Sequence, residues 1–265
     1  MPQHHHGLVV IDVTVATCSR LNPFSNCLLD PEIWTRIEKD LYVGQAWTTS
    51  GYLHVRRLKE EELTEHDKVV MDIHVGRLAP TNNAKSARAE GTGKEQWEAR
   101  PNGLWLKRSS SKKASDSADA VTAVDVLFGD DAVEAREGWQ MVVAPLMLGA
   151  SPSIPVALIT IRRGRQKDVK KPVPRINDNG KFKILQVSDL HLSTGVGHCR
   201  DAIPDSYNGG KCEADPRTLD FVTKIVDEER PDLVVFSGDQ VNGDTAPDAQ
   251  TVSVHIFPHC CRQLT

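Results

Sequence analysis

Between positions 31 and 165, apolar and polar residues alternate along much of the chain. A period of two is the pattern of strands with one covered face. Candidate strands are Tyr52–Leu58, Lys68–Val75, Val121–Phe128, Trp139–Leu148 and Val156–Arg162. In Val121–Phe128 the alternation places Val124, Val126 and Phe128 on one face, with Asp125 and Leu127 on the other. Residues 1–30 show no sustained period and carry no predicted element. Two polar stretches interrupt the strands, Thr81–Glu98 and Ser109–Ala120. The second, SSSKKASDSADA, is too rich in Ser, Lys and Asp to pack, which predicts a mobile loop within residues 81–120. Residues 31–165 therefore read as a β-rich domain.

The texture then changes. Arg162–Pro172 (RRGRQKDVKKP) is a charge run leading into the stiff segment Pro172-Val-Pro174, which predicts a solvated linker over 166–180. Lys181–Ser188 (KFKILQVS) is a short apolar run of buried-strand type. Pro216–Glu229 has helical spacing: Leu219, Val222 and Val226 form one stripe, with Phe221 and Ile225 beside it. Asp215 suits the N-cap of that helix, and Pro216 its first position. Asp232–Ser237 (DLVVFS) lacks alternation, as in a parallel strand covered on both faces. Strand, helix and strand predict one right-handed βαβ unit. The fold class is thus the start of an α/β domain preceded by a β-rich N-terminal domain.

Each strand of that unit ends in a carboxylate. The first runs into Asp189-Leu190-His191 and the second into Gly238-Asp239. In a parallel sheet, ligands collect beyond the carboxyl ends of the strands, so residues 50 positions apart can become neighbours there. Asp189 and His191 can converge on one ion, and the two oxygens of Asp239 can bridge a pair. Carboxylate with imidazole suits Mn, Fe or Zn better than Ca. The bland reading of each piece alone is a turn-forming Asp or a loop Gly-Asp, and the conjunction is what raises the signal.

Composition narrows the partners. With 32 Lys+Arg against 36 Asp+Glu the formal charge is −4, which argues against a bulk grip on nucleic acid. No uninterrupted apolar stretch approaches the ~20 residues of a membrane span. The N-terminus has no Lys or Arg ahead of its apolar run, a poor secretory signal, so the compartment reads as cytoplasmic by default. Gly91-Thr-Gly93-Lys94 is not a phosphate loop, because Arg88 stands where its first Gly belongs and Glu95 follows the Lys. Cys199 and Cys212 bracket one polar loop, and a bridge or two free thiols remain open.

ILQVSDLHLS followed by DLVVFSGDQVNG resembles the opening of the calcineurin-like metallophosphoesterases, which include the purple acid phosphatases. The intervening CRDAIP and CEADPRTLDFV are similar to the purple-acid-phosphatase-related branch that carries a β-rich region before the catalytic domain. The resemblance covers roughly Lys181–Gln250 and implies hydrolysis of a phosphate monoester, from a phosphoprotein or a small ester, by a metal-activated hydroxide. It implies two metal ions (Fe, Mn or Zn), with Asp189 and His191 on the first and Asp239 bridging both. Asn242 stands where coloured members carry a metal-bound tyrosine, which argues against a purple centre. Asn242 becomes a candidate phosphate donor, with a turn residue as the plainer reading. His198 is a candidate proton donor to the leaving group, or else an exposed loop histidine.

The same resemblance calls for a G-N-H-[DE] motif, a further lone His and a G-H-x-H, none of which follows Gln250. The ending 251–265, TVSVHIFPHCCRQLT, carries His255, His259, Cys260 and Cys261 at no regular structural-zinc spacing. It reads as an atypical tail on a domain cut off after its first βαβ unit, over 181–250. The expectation is a weakly active or inactive phosphoesterase, with residues partly solvated at Ile184, Val187, Val234 and Val235. The alternative is a non-catalytic binding protein acting through the β-rich domain.

Overall fold

A computed structural model describes residues 7–22, 27–43, 48–80, 96–109, 119–130, 132–149, 156–164, 173–193 and 195–243. The Gly91–Lys94 segment, most of the two polar stretches, the basic run from 165 to 172 and the tail 251–265 lie outside these residues. The chain divides into two compact units. One comprises Met1–Val126 with Gly138–Lys167, the other Leu127–Glu137 with Asp168–Thr265.

The first unit is built from three three-stranded sheets among the described residues. One has the order β1-β3-β2, from β1 (Leu8–Ser19), β2 (Trp34–Arg36) and β3 (Thr49–Lys59). β1 runs antiparallel to β3 from Leu8↔Lys59 to Ser19↔Thr49, with a register shift between Val10 and Asp12. This strand corrects the reading of residues 1–30. Val9, Val10 and Ile11 are consecutive and all buried, so both faces are covered at its start and alternation is lost there.

The second sheet, β4-β6-β5, contains β4 (Val69–Val75), β5 (Gln96–Arg100) and β6 (Leu104–Ser109). β5 and β6 lie inside the region read as a mobile loop, and over 96–109 that reading is overturned. They form an antiparallel hairpin that turns at Asn102 and Gly103, both left-handed at φ 61 and 74. Leu104 and Leu106 are fully buried. Arg100 Nε donates to Asp12 Oδ1 of β1 at 2.9 Å, and within the hairpin Arg108 pairs with Glu98 at 3.1 Å. The third sheet, β7-β9-β8, holds β7 (Val121–Phe128), β8 (Trp139–Met141) and β9 (Ala157–Arg163). Regular pairing in β8 stops at Met141 rather than running to Leu148. A Cys18–Cys27 disulfide closes the end of β1, a pairing the sequence reading did not single out.

The second unit carries β10 (Ile184–Val187), helix α1 (Ala214–Glu229) and β11 (Leu233–Phe236). β10 and β11 pair in parallel, Ile184↔Leu233 through Val187↔Phe236. Val222 and Val226 of α1 pack on Leu185, Val187, Val234 and Phe236, so the helix covers one face of the pair. The opposite face is open: Ile184 is 58% and Val235 38% exposed. Coverage of both faces, expected from the unbroken apolar runs, is therefore not met, while partial solvation of Ile184 and Val235 is. Phe221 is also exposed, so the buried helical stripe is narrower than the apolar pattern suggests.

The helix begins at Ala214, with Glu213 in the capping position and no side-chain capping bond. Asp215 is thus not the N-cap. It sits in the first turn, buried, and its carboxylate is used elsewhere.

Candidate metal centre

Beyond the ends of β10 and β11 the two backbones go on pairing. Ser237 N–H donates to Val187 O at 2.9 Å, Asp189 N–H to Gly238 O at 3.3 Å, His191 N–H to Asp239 O at 3.0 Å and Leu192 N–H to Gln240 O at 3.0 Å. Asn242 N–H returns to Leu192 O at 2.9 Å. Leu192, 1% exposed, anchors the ladder among Leu190, Leu219, Phe236 and Val241. Two loops that would otherwise wander are thereby held side by side.

This pairing brings together the side chains that the sequence singled out. Ligand atoms of Asp189, His191 and Asp239 all lie within 4.8 Å of one another, and all three residues are exposed. Among the described residues they form the one group of three or more such side chains at that spacing. Their backbones are unusual as well. Asp189, His191 and Asp239 take φ of 57°, 47° and 43°, three of the seven non-glycine residues with positive φ among those described. Asp and His tolerate the left-handed region better than most residues, yet each such conformation still costs on the order of 1 kcal/mol. Strain gathered on three neighbouring donors is a pattern typical of binding sites. Two carboxylates and an imidazole, open to solvent, fit a divalent transition ion and leave coordination positions free.

The first donor loop is tethered by a contact absent from the sequence reading. Asp215 Oδ2 accepts from Ser193 N–H at 2.7 Å and from Ser193 Oγ at 2.8 Å, both within the interior. Gly197 (φ +58) passes so close that a Cβ there would fall 2.6 Å from Asp215 Oδ1. A glycine four residues past the Ser, and an acid opening a helix, were the available signals, but nothing in the sequence pairs them.

His198 and Asn242 both border an open cleft of about 880 Å3 that begins at His191. His198 bridges Glu213 in a short antiparallel ribbon, where Cys199 N–H donates to Cys212 O at 3.1 Å. A Cys199–Cys212 disulfide closes that ribbon, so of the two readings left open the structure takes the bridge. At the other end of the unit, Asp232 accepts from Lys183 N–H at 2.7 Å and from Asn177 Nδ2 at 2.9 Å. These bonds, the Lys183 N–H foremost, hold its carboxyl below the usual carboxylate range.

Comparison with known proteins finds one family over the segment that holds these residues. Residues 182–259 match the calcineurin-like phosphoesterase family. Phosphatase DCR2 of Saccharomyces cerevisiae is 36% identical over 148 residues, covering 54% of this chain and 25% of that protein. Probable inactive purple acid phosphatase 28 of Arabidopsis thaliana is 40% identical over 76 residues, covering 28% of this chain and 18% of that one. Uncharacterized protein C1020.05 of Schizosaccharomyces pombe is 27% identical over 250 residues, covering 91% of this chain and 44% of that protein. Residues 182–259 carry a calcineurin-like phosphoesterase segment, and the relatives named above put that segment in the metallophosphoesterase superfamily, on the side related to purple acid phosphatases. The chain spans less than half the length of these relatives. The superfamily is one of hydrolases that use divalent metals, and no helix among the described residues is long and apolar enough to cross a membrane.

Proposed function

We propose that the loops after β10 and β11 form part of a two-metal phosphoesterase centre, in which Asp189 and His191 hold one ion and Asp239 reaches both. The convergence of three strained donors within 4.8 Å is the observation that carries this reading. A bound ion supplies a Lewis acid that lowers the pKa of water and neutralises charge on phosphoryl oxygens. The chain's own residues orient and hold. The backbone ladder fixes the donor spacing, Asp215 holds the first loop through Ser193, and Asn242 beside His191 can offer an amide to a phosphate oxygen. His198 stands on the cleft wall as the candidate proton donor to the leaving group. The β10-α1-β11 arrangement fits the opening of an α/β catalytic domain, with the β-rich unit before it.

The three donors found among the described residues are about half of what two ions need, so the chain is proposed to bind metal weakly and to hydrolyse phosphate monoesters slowly. The word "inactive" in the name of the Arabidopsis relative favours a second reading, a chain that binds a partner without turnover. One experiment separates the two: Mn2+ titration followed by hydrolysis of a chromogenic aryl phosphate, on wild type and on Asp189→Asn. Bound Mn2+ and slow turnover, both lost in the variant, support the phosphoesterase. No stoichiometric ion in the wild type defeats it.

A further inference from the structure

We propose that Gln240 is a positioning residue for the candidate metal centre, whose side-chain amide sets the directions in which Asp189 and Asp239 leave the sheet. This deepens the phosphoesterase reading above and rests on it. Gln240 directly follows Asp239, and its Nε2 donates to Gly238 O. The same nitrogen lies 3.3 Å from Val187 O and 3.4 Å from Ser237 O. One amide thus serves both strands of the pair. Val187 ends β10 two residues before Asp189, and Gly238 stands immediately before Asp239.

Those carbonyls sit where the chain turns out of strand geometry. Gly238 and Asp239 are left-handed in succession, at φ 64° and 43°, and Asp189 is left-handed at φ 57°. Such a backbone at Asp persists only where its surroundings hold it. Val187 O and Gly238 O already accept from Ser237 N–H and Asp189 N–H. The ladder therefore sets which residues face one another, and the amide adds a second donor at the carbonyls that aim the two acids. An amide is a costly choice at this position. Gln240 Oε1 is buried and has no hydrogen-bond partner, and a buried acceptor without a donor is destabilising. Methionine has nearly the same length and shape without that oxygen, so stability alone would favour it. What the nitrogen holds accounts for the glutamine. Groups that orient metal ligands in this way change metal affinity by about ten- to a hundredfold when removed.

The test uses the full chain with Mn2+ as the probe, in wild type, Gln240→Met, Gln240→Ala and a control, Gln186→Met. The control removes another amide of the same strand pair, one that donates to Ser237 Oγ at 2.7 Å and to none of those carbonyls. Mn2+ affinity is read by isothermal titration, and stability by urea unfolding in EDTA. Gln240→Met should weaken Mn2+ binding about tenfold. Its midpoint in EDTA should stay at or above that of wild type, since Val187 O and Gly238 O keep their backbone donors and the unpaired oxygen is gone. Gln186→Met should bind Mn2+ as wild type does. Wild-type affinity in both Gln240 variants overturns the proposal and leaves the metal reading standing. So does an equal loss in Gln186→Met, because any amide on this pair would then serve. Affinity that falls only in step with the EDTA midpoint, in both Gln240 variants, makes the amide structural and also overturns it. A wild-type chain that binds no Mn2+ defeats the metal reading and this proposal together.

Discussion

Asp239→Asn should change sign with metal. In the metal-free protein, Asp189 and Asp239 hold two carboxylates whose ligand atoms lie within 4.8 Å. At that separation and in a water-like dielectric their repulsion is about 0.9 kcal/mol, falling to about 0.5 kcal/mol at physiological ionic strength. The exposure of both groups argues for these water-like values over larger ones from a dry interior. Replacing one carboxylate by its isosteric amide removes that penalty, so in chelator the variant should be the more stable by about 0.5–0.9 kcal/mol. With an ion at a hundred times its Kd, the wild type gains about 2.7 kcal/mol. A variant whose Kd is a hundredfold weaker gains only about 0.4 kcal/mol under the same conditions. The order then reverses, with wild type ahead by about 1.5 kcal/mol. Thermal unfolding followed by circular dichroism, in EDTA and in excess Mn2+, reads both halves of the prediction. A variant less stable than wild type in EDTA, or a wild type indifferent to Mn2+, would refute the reasoning.

Three further outcomes are expected. Asp215→Ala leaves the buried N–H and hydroxyl of Ser193 without their acceptor, and should destabilise the second unit by about 3 kcal/mol in urea unfolding. It should also weaken Mn2+ binding, because His191 lies two residues from the freed tether. Cys199→Ser/Cys212→Ser opens a loop of sequence separation 13 and should cost about 3 kcal/mol by the chain-entropy relation, visible as a lower denaturation midpoint. Asp232 titrates below an unfolded carboxyl, so its contribution is present above the unfolded pKa and disappears as pH falls through the lower folded value. Asp232→Asn should therefore flatten the acid limb of stability below about pH 4 and leave the profile near pH 7 unchanged in slope.

The parts of the fold legible in the sequence were those with an undisturbed period. Val121–Phe128 alternates through its middle and forms β7 with the boundaries the pattern implies, while its ends, Val121-Thr122 and Val126–Phe128, are buried on both faces. Lys181–Ser188, Pro216–Glu229 and Asp232–Ser237 gave strand, helix and strand because their apolar residues match elements that pack on one another. β1 was hidden because Val9, Val10 and Ile11 are all interior, which erases the alternation a half-buried strand would show. β5 and β6 were hidden because strongly polar sequence on either side drowned five- and six-residue strands. At the site, residue type and chain position were enough to select Asp189, His191 and Asp239, since chemistry at strand ends is local. The tether was not legible, because Ser193 and Asp215 are 22 positions apart and meet only through folding. Nor was the left-handed backbone of the donors, which follows from how two loops are forced to pair. The Cys18–Cys27 bridge was missed for a similar reason, as it depends on the unassigned first strand.

The rungs between residues 187–192 and 237–242 are peptide groups, and peptides are common to every amino acid. Spacing at this end of the sheet is consequently a property of the scaffold, and identity of the donors a separate choice made by whatever side chain stands on each rung. Exchanging one oxygen donor for a nitrogen donor there would retune ion preference without redrawing the frame.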